Sequence, residues 1–517
     1  MSQPNAKLFT NGRFFAGSAS PSSFHESMLV ENGKLTYIGP SASLKSPNNV
    51  ATHDLNGQYV LPGFIDGHMH FLLLGQSLAK VSLDGCENLA EIRKRISKYA
   101  KEHPDKQRIM CMGWMHSMTQ GEAKASMLDD LDPRPIYIDS KDLHSVWCSS
   151  AALAEMNVQD MPDPDGGCIS RDEHGTASGL LSEAAVLLIV WPYLANALSL
   201  DEKITALKAA ISAYHAVGCT GCIDMAMDEN AWSALLALRS QENGHLPMRI
   251  AAHWCINPGT GPSSRLAQVD RAIELARTYN STTSSDLRIA GIKIICDGVI
   301  DACTAALAEP YSTNTDIAST GPIWTPEMLA PVVKKACDAN LQCALHAIGD
   351  AAVHNAVDVL ESYGKPGQRH RIEHLELTSP EDAKRLGALG ITASIQPVHA
   401  DPAILHAWPK LLGPERLKRA FAYKEFADHG AVLAIGSDAP TAPHAPLPNL
   451  YVATTRKSAR QPEAGDEAVN EEFKLGVAEA VVAATKGTAY SCFADEKIGS
   501  LEVGMCADFC VVEMGGR

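Results

Sequence analysis

Aromatic residues make up only 6% of this 517-residue chain. That is too few for the stacking platforms on which single-stranded nucleic acids lie. Positive charge is also scarce: 44 Lys and Arg stand against 60 Asp and Glu, a formal net charge of −16. The balance disfavours nucleic acid or an anionic membrane as the main partner. Residues 1–15 hold no apolar signal core, so secretion is not expected and a cytoplasmic location is. Long apolar runs are few. The uncharged stretch 184–200 is 17 residues, near the lower limit for a membrane span, but it contains Pro192 and Asn196 and is bounded by Glu183 and Asp201. It reads as a buried helix or a lid, without stable membrane insertion. The 14 cysteines form no tight framework and read as reduced, buried thiols. Cys219 and Cys222 have Cys-x-x-Cys spacing but no second pair, which suits a strand crossing a core.

What is present is ordinary globular material, 45% hydrophobic and 20% charged, in a chain too long for one small core. Residues 7–60 read as short strands punctuated by Asn-Gly turns, a small β unit. From about residue 200, strand-length apolar runs alternate with amphipathic helices. The candidate strands are 219–225, 248–255, 288–295, 341–348, 370–376, 391–396 and 431–437. Ser379-Pro380-Glu381 marks one helix start. Adding the strand with His68 and His70 gives eight, and eight parallel strands with helices outside predict an α/β fold, a (β/α)8 TIM-like barrel. No Gly-rich nucleotide loop follows the first strand, which counts against an open doubly wound sheet. The tail 498–517 returns to strand-and-turn composition. The expected division is a small β-sandwich from 1–60 and 490–517, a barrel from 61–70 and 201–489, and an inserted α+β subdomain over 71–200.

Active sites of such barrels lie at the C-terminal strand ends. Ligand-type residues collect there. His68 and His70 alternate on strand one, so their imidazoles face the same side. Strand four carries Lys293, strand five His346, strand six His374, and strand eight reaches Asp438. Nitrogen donors with a carboxylate suit zinc, or manganese or iron. Each has a plainer alternative: His346 as a core histidine, His374 paired with a neighbouring acid, Asp438 as a turn or cap residue. Lys293 sits in the apolar run 289–295. Burial lowers the pKa of an ammonium, and the neutral amine can form a carbamate with carbon dioxide. A pairing of Lys293 with Asp297 is the alternative.

These runs carry a resemblance: LPGFIDGHMH (61–70), HSVWCSSAAL (144–153), DPDGG (163–167), GLLSEA (179–184), IKIICDGVIDACTAAL (292–307), HAIGDAAV (346–353), RIEH (371–374) and GSDAP (436–440). The chain resembles the amidohydrolase superfamily of metal-dependent hydrolases. Within it, the chain is similar to the amidohydrolase-3, or YtcJ-like, branch, which includes N-substituted formamide deformylases. The likeness spans roughly residues 58–508. It implies two divalent metal ions, most simply Zn²⁺. His68, His70 and Asp438 would hold the more buried ion, His346 and His374 the second, and carboxylated Lys293 would bridge them. Asp438 would also serve as the catalytic base. Ser149 stands where the family often has Asn, and the chain stops at Arg517 where relatives usually continue through more strands.

The resulting expectation is hydrolysis of an amide, N-acyl or N-formyl carbon–nitrogen bond in a small, apolar molecule. A metal-dependent decarboxylase or deaminase, and an inactive binding protein, are the alternatives. Lys293, and the absence of a Glu soon after His346, disfavour deamination. Trp114, His144 and His399 lie in motif-like loops and are candidate substrate contacts. His354 reads as structural and Asp350 as a helix cap. A homodimer is compatible with this reading.

Overall fold

A computed structural model describes residues 6–18, 24–44, 50–141, 143–164, 167–312, 321–462 and 467–513. Asp165 and Gly166 of the DPDGG run, and the last four residues of the tail, lie outside the described residues.

Eight strands follow one another in chain order around one sheet: β1 (Phe64–Met69), β2 (Cys219–Met227), β3 (Arg249–Cys255), β4 (Leu287–Ile295), β5 (Gln342–Ala347), β6 (Arg371–His374), β7 (Thr392–Ile395) and β8 (Leu433–Ile435). Every neighbouring pair is parallel. The strands are near-continuous apolar runs because helices cover them outside and side chains fill them inside. All six residues of β1 and of β5 are buried. The ring closes where β8 meets β1. Asp438 N–H donates to His68 C=O at 2.7 Å, and His70 N–H to Ala439 C=O at 2.9 Å. A Cβ on Gly436 would lie 2.3 Å from His68 N, and one on Gly67 2.6 Å from the Ile435 carbonyl. Only glycine allows the two backbones this close, so the seam is written into Gly67 and Gly436.

The small β unit comprises a four-stranded sheet (Lys34–Gly39, Ser27–Glu31, Ala6–Thr10, Ala51–Asp54) and a three-stranded one (Arg13–Phe14, Tyr59–Pro62, Phe509–Val512). Asn32 and Gly33, with φ of 52° and 76°, form the tight turn between Ser27–Glu31 and Lys34–Gly39. Phe14, Met28, Val30, Leu35, Val60 and Leu501 fill its interior. The tail reaches it through Phe509–Val512, antiparallel to Tyr59–Pro62.

Between β1 and β2 the chain builds a six-stranded sheet, with Val81–Ser82 at one edge and Gly167–Arg171 at the other. Helix Leu89–Glu102 packs Ile92, Ile96 and Ala100 onto it, and Asn88 caps that helix. Helix Phe71–Ser77 instead buries Phe71, Leu72 and Leu74 with Ile204 and Leu207 in the barrel core. The uncharged stretch is not one helix. A π-turn at Val186–Val190 runs into Trp191–Ala197, and Ser199 with Glu202 forms a capping box that starts Leu200–Ala216. No helix among the described residues is long and apolar enough to cross a membrane. Cys219 and Cys222 are both buried thiols in β2, as a strand through a core requires.

Candidate metal centre

The ligand-type residues meet at the C-terminal mouth of the barrel. Nε2 of His68 and of His70 lie 3.3 and 3.1 Å from Oδ1 of Asp438. The His374 ring centroid is 4.8 Å from that of His68 and 4.3 Å from that of His346. One donor atom each from His68, His374 and Asp438 falls within 4.8 Å of the others. Local backbone makes this convergence possible. His374 has φ 75° and Asp438 φ 59°. Positive φ is unfavourable for residues with a Cβ, and strain of this kind concentrates at functional sites. At His374 it ends β6 and breaks the strand's alternation. Glu373 and His374, adjacent in sequence, can then both turn toward the centre.

Glu373 is the residue that the motif reading passed over. Its Oε2 is 2.6 Å from Nδ1 of His68. A carboxylate there holds the proton on Nδ1, so the Nε2 lone pair faces Asp438 and the centre. Arg371 in turn holds Glu373: Nε donates to Oε1 at 2.5 Å and Nη2 to Oε2 at 3.1 Å. The same guanidinium donates to the Gly67 carbonyl at 2.6 Å and to the Ser394 hydroxyl at 2.6 Å. Burial opposes the charge on Glu373, but Arg371 outweighs it and keeps the carboxyl well below its ordinary range. The signal was present in sequence: two opposite charges at alternate positions of one buried strand face the same side and can pair. Arg371→Met would leave a buried carboxylate without its cation. The expected loss is about 3–5 kcal/mol of unfolding free energy, read by urea denaturation.

Burial drives His346 and His374 away from the charged state. His346 and His374 are held well below their ordinary pKa, first by burial and then by neighbouring cationic groups. Neutral imidazole is the metal-binding form. Lys293 is 1% exposed, and its Nζ has no hydrogen-bond partner among the described residues. Burial lowers its pKa. Asp297 does not pair with it. The Asp297 carboxylate accepts the backbone N–H groups of Ile348, Gly349 and Ala306 at 3.0, 2.8 and 3.0 Å, and its Oδ1 lies 3.4 Å from His346 Nε2. His374 Nδ1 is likewise buried and unpartnered among the described residues. Lys293 Nζ, His374 Nδ1 and Asp438 Oδ1, each buried without a hydrogen bond among the described residues, fit a site that divalent ions complete.

The three loop candidates separate. His399 stands beside the centre: Nε2 is 3.7 Å from Asp438 Oδ2 and 3.3 Å from the Thr441 hydroxyl, while Nδ1 is 3.1 Å from Glu376 Oε1. His144 reaches over from the inserted unit. Its Nδ1 is 2.7 Å from Glu183 Oε2, and Glu183 Oε1 accepts the Thr304 hydroxyl at 3.0 Å, which ties the inserted sheet to the loop after β4. Trp114 is fully buried, with its ring packed against Trp147 and His116 in the inserted unit. His354 is an exposed surface residue paired with Asp382 and Asp358. Asp350 opens helix Asp350–Tyr363 and accepts the Ala308 N–H at 2.8 Å. The metal-centre residues, with Trp114, His144 and His399, line a cavity of about 1830 Å³, with Trp191, Pro192, Leu194 and Leu198 from the uncharged stretch on its apolar wall.

A second cluster, Cys337, Cys343 and His370, is buried elsewhere. There Nδ1 of His370 accepts the Cys343 N–H at 3.0 Å. The ring proton must sit on Nε2, which faces Gln368 Oε1 at 3.0 Å and Cys337 Sγ at 3.5 Å. That tautomer has no lone pair to offer a metal.

The amidohydrolase family profile matches residues 51–515. The chain belongs to the amidohydrolase family. Protein LONG AFTER FAR-RED 3 of Arabidopsis thaliana is 31% identical, over 98% of this chain and 86% of that one. The N-substituted formamide deformylase of Arthrobacter pascens is 24% identical, over 94% of this chain and 90% of that one. The crystal structure of an uncharacterized metal-dependent hydrolase from Pyrococcus horikoshii OT3 superposes with a TM-score of 0.81 at 25% identity, covering 98% and 97% of the two chains. The barrel and its polar mouth are thus those of a metal-dependent hydrolase of the amidohydrolase superfamily.

Proposed function

We propose that this amidohydrolase cleaves an amide, N-acyl or N-formyl carbon–nitrogen bond in a small, largely apolar molecule. His68, His70 and Asp438 would hold one divalent ion, His346 and His374 the second, and Lys293, carboxylated on Nζ, would bridge them. Zinc is the first choice for nitrogen donors with carboxylates. Such ions supply Lewis acidity toward a carbonyl and make water a nucleophile at neutral pH. The residues do the rest. Glu373 fixes the His68 tautomer. Asp438 takes the proton of the attacking water and passes it to the leaving nitrogen. His399, held by Glu376 and within 3.7 Å of Asp438, is placed to share that proton. The wall at Trp191, Pro192 and Leu194 would take the apolar body of the substrate.

The observation that carries the reading is the buried, unpartnered amine of Lys293 beside neutral His346 and His374. The N-substituted formamide deformylase among its relatives supports the choice of bond. Elemental analysis of purified protein tests the centre. About two ions per chain are expected. One would support a mononuclear site, and none a binding protein. Zinc-loaded protein screened against N-formyl and N-acyl amines should release amine. Release of carbon dioxide from carboxylic acids instead would replace this reading with decarboxylation.

A further inference from the structure

Most cations on the cavity wall are already used. Lys80 is paired with Asp139, Arg108 with Glu155 at 2.7 Å, and Lys141 with Asp84 at 2.9 Å. Lys106 is exposed to water at the rim. Lys293 belongs to the metal centre. Arg460 remains. It lines the cavity, is half-buried, and its Nε is buried without a hydrogen-bond partner among the described residues. No ion pair engages its guanidinium among those residues.

The contrast with Arg456, four residues earlier, is instructive. Arg456 is wholly buried and, although its Nη2 has no partner among the described residues, it donates from Nε to the Val469 carbonyl at 2.8 Å and from Nη1 to the Phe421 carbonyl at 3.3 Å, over the Tyr423 ring. That is a structural arginine. The backbone at Arg460 is equally fixed, but its side chain is not consumed. Asp401 Oδ2 accepts the N–H groups of Ala459 and Arg460 at 2.9 and 3.1 Å, and Ser458 Oγ accepts that of Gln461 at 2.9 Å. Asp401 thereby anchors the turn through main-chain bonds. Burial lowers the Arg460 pKa, opposed by Asp401 and Asp84. Arg460 lines the same cavity as His399 and Asp438. A cation half removed from water on a pinned backbone, with a buried Nε that has no partner among the described residues, can receive an anion that enters the cavity.

We infer that Arg460 is a specificity-determining residue that receives a carboxylate carried by the substrate, remote from the bond that is cut. This rests on the proposed C–N hydrolysis and adds to it: the preferred molecule has an apolar body, an amide nitrogen and one anionic end. The fork of a guanidinium matches a carboxylate in two parallel hydrogen bonds, which a neutral carboxamide cannot reproduce.

The test uses zinc-loaded protein and matched pairs: 3- and 4-formamidobenzoate and 4-formamidophenylacetate, each against its neutral carboxamide. Affinity is measured by calorimetry and turnover by amine release. Wild-type protein should prefer at least one acid over its carboxamide by tenfold or more. Arg460→Met should abolish that preference while retaining turnover of unsubstituted formanilide, and Arg460→Lys should keep part of it. If wild type shows no preference for any acid, or if the preference survives in Arg460→Met, the inference is overturned. The wild-type comparison decides this even if a variant fails to fold. A preference in binding that follows Arg460 without amine release would sustain the anion site and sink the C–N reading. Amine release without such a preference would do the reverse.

Discussion

Asp438→Asn is expected to lower kcat by at least 10²–10⁴-fold, the usual worth of a positioned proton-transfer group, while most of the bound metal remains. Asparagine is the informative replacement. Asp438 has φ 59°, a region that asparagine tolerates and alanine does not, so the backbone and the closing bond to His68 C=O should persist. What disappears is the charge between Nε2 of His68 and of His70 on one side and His399 on the other. Thermal midpoint, metal content by mass spectrometry and steady-state rates together separate loss of chemistry from loss of fold. Near-normal rates would remove Asp438 from the role of base.

Lys293→Met is expected to remove metal and activity together, and yet not to weaken the metal-free protein. The reason is the environment of Nζ. Methionine fills nearly the same volume, whereas an ammonium there is buried without a partner and is disfavoured by burial. In the presence of chelator the variant should unfold at the same denaturant concentration as wild type, or higher by about 1–2 kcal/mol of stability. Metal content should fall from near two ions per chain, with turnover at background. A variant that kept both ions and its rate would show that Lys293 is no bridge. A variant that lost stability without metal would show that Nζ has a partner in the native state.

Much of the barrel can be read from periodicity. The apolar runs 219–225, 288–295 and 341–348 are long enough and regular enough that only a buried parallel strand satisfies them, and β2, β4 and β5 lie over them. Strand ends were harder. The expected strand 370–376 runs past His374, but the chain leaves the sheet at His374 and Leu375, both with positive φ. Such a turn is chosen by the site it serves, since neither residue has a local preference for it. The uncharged stretch 184–200 illustrates the same limit. Its composition allows one long helix, yet the helical backbone that passes through the π-turn to Ala197 ends at Leu198 and Ser199, where Ser199 caps the next helix.

Residue types and their order along the chain were enough to place His68, His70, Lys293, His346, His374 and Asp438 late in or just after five of the eight strands, because strand periodicity and alternation are local properties of the sequence. They were not enough to show what holds those side chains. Glu373 meets His68 across 305 residues, and Glu183 meets Thr304 across 121. Arg460 comes to face the cavity only because Asp401 fixes its turn. Hydrogen-bond partners, tautomers and the difference between a spent and an unspent cation depend on distances set by closure of the whole barrel. No local periodicity encodes them, and only the folded chain decides them.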